Sequence, residues 1–270
     1  MKDAILQLFI YFFRLLLLTL GTVVMCGLSV RLCAHCFSRL LGHGAGRIFD
    51  VTAAIGTPIH ELGHAIMCPL FGHRITKMRL WSPNAEDGMY GYVEHSYSKR
   101  NLWARLGNLF IGIGPIVSGL CIVVLTLSLC FPEPWREYLA ATRAYLPASG
   151  DLGTLPRQVL RLLVSILHSF GDVWWRSLLG SVVMLSVALH ISMSWVDVKS
   201  SLGALPIYLF ITLLFAAATT LIGVRNEVID ALRLFNLRVL SLFCVVIAVA
   251  LVWVAIALLY RMWRAVKGWF

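Results

Sequence analysis

The chain has 270 residues, 59% hydrophobic and only 13% charged, with a formal net charge of +10 from 23 Lys and Arg against 13 Asp and Glu. A soluble domain is about one quarter charged and roughly 45–50% apolar, so this composition excludes an ordinary soluble enzyme and predicts a multi-pass integral membrane protein. In a soluble chain the basic surplus would suggest nucleic acid. Here the cations flank apolar runs (Arg31, Arg39, Arg47; Arg74, Lys77, Arg79; Arg261, Arg264, Lys267) and read as topology and headgroup anchors, so no nucleic-acid partner is expected.

A bilayer core about 30 Å thick takes roughly 20 helical residues, and on that ruler the chain holds about six spans, at 5–30, 48–71, 103–131, 174–191, 205–224 and 239–260. The first run is too long for the apolar part of a signal peptide and precedes no small-residue cleavage site, so it is expected to stay as a membrane helix. Just after it, Cys33 and Cys36 have the spacing of a redox or metal pair. A lone pair of this kind among apolar residues reads first as packing. Residues 72–102 alternate polar and apolar around Ser-Pro-Asn-Ala-Glu-Asp-Gly, which predicts a β-hairpin at the membrane surface. Residues 132–172 predict amphipathic helices lying in the interface. Residues 192–204 are polar and small, too short for a domain and wedged between two spans. The predicted architecture is all-α and polytopic, one membrane-embedded unit over 1–270. Six spans put both termini on one side, and the basic cluster after the second span favours the cytoplasmic side.

The chemistry concentrates in the second span. His60-Glu61-Leu62-Gly63-His64 is an HExxH pattern. Residues four apart share a helix face, so both imidazoles can bind one Zn²⁺, while Glu61 reaches water in the metal's open position as a general base. The motif falls mid-span between Arg47 and Arg74, where an ionised side chain costs about 2.5–3.5 kcal/mol on the insertion scale. Ionisable groups at such depth are functional by default, and a cation held by both histidines offsets the cost. A catalytic zinc keeps three protein ligands. Candidates for the third are Asp197, Asp172, His190, Asp50 and Glu94, with Asp197 favoured because it lies in the break between spans. Read blandly, Asp197 simply caps a helix begun at Ser194; Cys68, one turn past His64, could tune a metal but reads first as packing.

An HELGH on a membrane helix, the Gly- and Pro-rich stretch GNLFIGIGPIVSGL at 107–120, and a later Asp in a span break together resemble the site-2 protease class of intramembrane zinc metalloproteases. The resemblance covers roughly 48–205 and implies a three-helix core, with extra helices at 5–30, 205–224 and 239–260. It implies zinc ligation by His60, His64 and Asp197, catalysis by Glu61, and a transmembrane protein or peptide as substrate. The family's Asp is usually followed by Gly, whereas here Val198 follows. Asn108 and Ser118 become candidate substrate contacts, and the 72–97 hairpin resembles the family's membrane-associated β-loop, to whose edge an unwound substrate could add as a strand. The expected setting is a bacterial cytoplasmic membrane. The alternative is a metal-binding, transport or scaffold protein using the same histidines. It would have no need of Glu61, and no repeat or second broken helix suggests a transporter.

Overall fold

A computed structural model describes residues 2–42, 44–83, 89–149, 154–171 and 173–267, which are mostly helical with one two-stranded antiparallel sheet. Helix α1 (Lys2–Leu16), a π-helical turn (Leu17–Gly21) and α2 (Thr22–Leu41) follow one another into α3 (Gly44–Leu70). The hairpin β1 (Arg74–Arg79) and β2 (Tyr92–Ser96) leads to α4 (Leu102–Cys130), α5 (Pro132–Ser149) and α6 (Leu155–His168). A 3₁₀ turn (Ser169–Gly171), α7 (Trp174–His190), α8 (Trp195–Leu202), α9 (Leu205–Ile222) and α10 (Arg225–Val266) complete the described chain.

Four helical stretches among the described residues are long and apolar enough to cross a membrane: Asp3–Leu41, Leu102–Cys130, Leu205–Ile222 and Arg225–Val266. Helices α7 and α8, bent by 53°, make a fifth if the pair counts as one. Four to five such helices are consistent with a membrane protein, one or two fewer than the expected six. The difference lies in 48–71. That segment is helical, as α3, but Asp50, His60, Glu61 and His64 dilute its apolar character, and it packs against α4, α7 and α2. A helix that carries charge survives in an apolar bundle when neighbouring helices cover it.

The main core gathers Val123 and Leu127 of α4, Met184 and Val187 of α7, and Val245, Val246 and Val249 of α10. The amphipathic helices expected in 132–172 are present as α5 and α6. Their apolar stripes close onto this core, through Trp135 and Tyr138 and through Val159, Leu162 and Ile166. The α6 positions recur at intervals of three and four, the period of one helix face.

Two close approaches decide where the chemistry sits. Gly63 of α3 and Gly114 of α4 meet backbone to backbone, so a Cβ on either would run into the other's carbonyl. Such contacts let helices gain packing energy where lipid offers no hydrophobic driving force. Gly112, on the next part of α4, lies under α8: a Cβ there would strike the Ser201 hydroxyl and come within 3.1 Å of the Asp197 carbonyl. Helices α3 and α8 are thus both drawn against one stretch of α4.

The hairpin between α3 and α4 forms as expected, with Arg74 opposite Ser96, Arg79 opposite Tyr92, and an irregularity between Ile75 and Lys77. Residues 84–88, at the predicted turn, lie outside the described residues. The returning strand is tied to α3 by the Tyr90 hydroxyl, which donates to the Asp50 carboxylate. That bond pushes the Tyr90 phenol up to about 12, with burial adding to it.

Candidate metal centre

His60 and His64 lie one turn apart on α3 with their rings 5.0 Å apart, as the motif's spacing requires. His60 Nδ1 donates to the carbonyl of His190 at 2.7 Å, and His64 Nδ1 donates to the carbonyl of Ile111 at 2.8 Å. A carbonyl can only accept, so both protons belong on Nδ1 and both Nε2 atoms present lone pairs. These two Nε2 atoms stand 3.3 Å apart with no proton to share. The Asp197 carboxylate completes the group, with Oδ1 3.3 Å from His64 Nε2 and Oδ2 3.9 Å from His60 Nε2. Among the described residues this is the one set of three such side chains whose ligand atoms all lie within 4.8 Å of one another.

Three electron-rich atoms facing each other in a half-buried site repel unless a cation sits between them. Ligands about 2.1 Å from a tetrahedral centre stand roughly 3.4 Å from each other. The Nε2–Nε2 separation and the His64 Nε2–Asp197 Oδ1 separation, both 3.3 Å, match that figure, and one ligand atom from each of the three residues lies within 4.8 Å of the others, so the group could hold a metal ion.

The two carbonyls that orient the rings are free for reasons visible in the chain. Helix α7 ends at His190, so its carbonyl lacks the usual helical partner. The residue four beyond Ile111 is Pro115, which has no N–H to offer. Outer hydrogen bonds of this kind fix a ligand's tautomer, and losing one costs about 10–100-fold in metal affinity. In Pro115→Ala the restored helical N–H turns the Ile111 carbonyl back along α4. We expect metal affinity to fall about 10–100-fold with no loss of thermal stability, which titration with a competing chelator beside a melting curve would check.

Asp197 does two jobs. Ser194 caps α8, accepting from the Asp197 N–H at 3.1 Å, while Asp197 Oδ2 accepts the Ser194 N–H at 2.8 Å. The reciprocal box locks the carboxylate, and Oδ1 remains directed at His64. The cap and ligand roles weighed from sequence as alternatives are compatible in one side chain.

These residues line a cleft of roughly 560 Å³, walled by α3, the 89–95 strand segment and the α7–α8 break. Glu61 lines it too, only 7% exposed, and its carboxylate has no hydrogen-bond partner among the described residues. Gly91 sits so close that a Cβ there would touch Glu61 Cγ, which brings the strand to the site's edge.

The other sequence candidates fall elsewhere. Asn108 is buried and its side chain donates to the Arg105 carbonyl at 3.3 Å, while Ser118 donates to the Ile59 carbonyl at 2.8 Å. Both serve helix packing, and neither lines the cleft. His190 does line it, but its ring donates to the Ser186 carbonyl at 3.0 Å and stands outside the trio. Asp50 is taken by Tyr90. Glu94 faces Lys77 at 3.9 Å on the hairpin surface, and Asp172 lies outside the described residues. Cys68 is fully buried and absent from the cleft wall, and Cys33 and Cys36 are free thiols outside the trio. Sequence reasoning missed His95, which lines the cleft, and His73 behind it; their rings are 4.8 Å apart. It also missed the Ile111 carbonyl, although Pro115 was a usable signal for it. Burial, with the His73 ring adding to it, pushes His95 below the usual histidine value. No protein-family model, curated protein or solved structure matches the chain.

Proposed function

We propose that the chain is a zinc-dependent endopeptidase of the site-2 protease kind, set in the membrane by several spans and hydrolysing a peptide bond within or near a transmembrane segment of another protein. The observation that carries this reading is the unpartnered Glu61 carboxylate in one cleft with the His60, His64 and Asp197 trio. A metal store or scaffold needs the trio but gains nothing from a buried free carboxylate, which costs desolvation energy. Two imidazoles and one carboxylate are a usual donor set for catalytic zinc, which when bound supplies Lewis acidity and an activated water.

The chain's own groups divide the remaining work. Glu61 takes a proton from the attacking water and returns it to the leaving nitrogen. The edge of β2, whose residues Tyr92 and Val93 line the cleft, offers backbone groups to an extended peptide. Such pairing matters because a helical substrate hides its carbonyls in internal hydrogen bonds. An apolar cavity of about 570 Å³ shares Arg31 and Met193 with the cleft, which supports an apolar substrate segment. A bacterial cytoplasmic membrane remains the expected setting.

The test uses purified full-length protein and a reporter membrane segment in detergent. Cleavage should stop on treatment with 1,10-phenanthroline and return with one equivalent of zinc. Cleavage that persists after complete metal removal would end this reading.

A further inference from the structure

Outside the trio, the hairpin holds a second set of coupled imidazoles. His73, 4% exposed, places Nε2 2.7 Å from the carbonyl of Ala104 and Nδ1 2.9 Å from His95 Nδ1. The carbonyl can only accept, so His73 carries its proton on Nε2 and offers a lone pair at Nδ1. His95 must then donate from Nδ1, which leaves its own Nε2 as an acceptor. Tyr97 stacks on His73 at 4.5 Å, holding that ring in plane. The result is a relay of fixed orientation, from Ala104 through His73 to His95.

The free end of the relay is available. His95 lines the cleft that contains Glu61, His60, His64 and Asp197. Its Nε2 has no hydrogen-bond partner among the described residues and is not among the fully buried unpartnered atoms, as His190 Nε2 is. Tyr92 and Val93 of the same strand also face this cleft. A peptide unwound there exchanges internal hydrogen bonds for whatever the wall supplies. In a water-poor site each N–H left unpaired is expensive. A neutral imidazole locked as an acceptor is suited to such a group.

We infer that His95 is a substrate-contacting residue, its Nε2 accepting a hydrogen bond from a backbone N–H of a peptide lying beside β2, and that His73 is the positioning residue that fixes it. This deepens the peptidase reading and rests on it.

The probes are peptidyl hydroxamates, which combine a zinc-chelating head with a short peptide, and copies in which each backbone N–H in turn becomes an ester oxygen. Binding is measured by calorimetry on zinc-loaded full-length protein. One replacement should weaken binding to the unaltered chain about tenfold and leave binding to His95→Phe unchanged. Replacements that cost both proteins equally, or cost neither anything, overturn the role of His95. Hydroxamates that bind neither protein overturn the metal-dependent reading itself, and this inference with it. Nitrogen-15 spectra of the imidazoles give a second readout that does not depend on the variant folding. His95 should carry its proton on Nδ1, and in His73→Phe it should become a mixture of tautomers. A proton found on Nε2 in the unaltered chain overturns the relay.

Discussion

Glu61→Gln is expected to bind zinc as well as the unaltered chain and to lose about 10²–10⁴-fold in single-turnover cleavage of the reporter segment. The amide fills the same volume, and Glu61 is not one of the three converging ligands, so neither packing nor metal binding should suffer. What disappears is the capacity to hold a proton between water and the leaving nitrogen. Metal content by mass spectrometry and cleavage by gel assay read the two effects separately. Unchanged cleavage removes Glu61 from the reaction, and simultaneous loss of metal would make it a ligand instead.

Asp197 yields the second large effect, through a pair of variants that split its two jobs. Asp197→Ala removes a third of the ligand set, so zinc affinity should drop more than about a hundredfold, beyond the usual cost of disturbing an outer contact. It also strips the reciprocal cap from α8, at about 1 kcal/mol of stability. In Asp197→Asn the amide oxygen still accepts the Ser194 N–H, but the charge that draws a cation is gone. That variant should melt close to the unaltered chain while binding zinc nearly as poorly as the alanine variant. Full zinc occupancy in both variants would pass the third ligand to another group, and His190 on the same cleft wall would be the first to replace.

The trio was legible because ionisable residues stand out against apolar runs, and helical spacing turns two histidines four apart into a pair. Asp197 was legible through its place in a polar break, which the 53° bend between α7 and α8 explains. What the linear chain conceals is the support. The carbonyls of Ile111 and His190 belong to residues with no chemistry of their own, and they matter only because a proline and a helix end leave them free. His73 and His95 match no motif, and only the folded hairpin, with the Ala104 carbonyl holding His73, brings them together. The number of spans is less legible, for the converse reason. Residues 48–71 have the length of a span, yet the polar groups that make α3 interesting also keep it out of the helices apolar enough to count among the four to five.

Helix α8 joins two compartments. It gives Asp197 to the polar cleft, while Trp195, Val198 and Leu202 line the apolar cavity beside it. Eight residues are too few to bend independently along their length, so a shift at one face is a shift at the other. Thermodynamic linkage would then run both ways: an apolar guest that nudged α8 would alter the grip on any cation held by His60, His64 and Asp197, and filling that site would change the guest's affinity by the same factor.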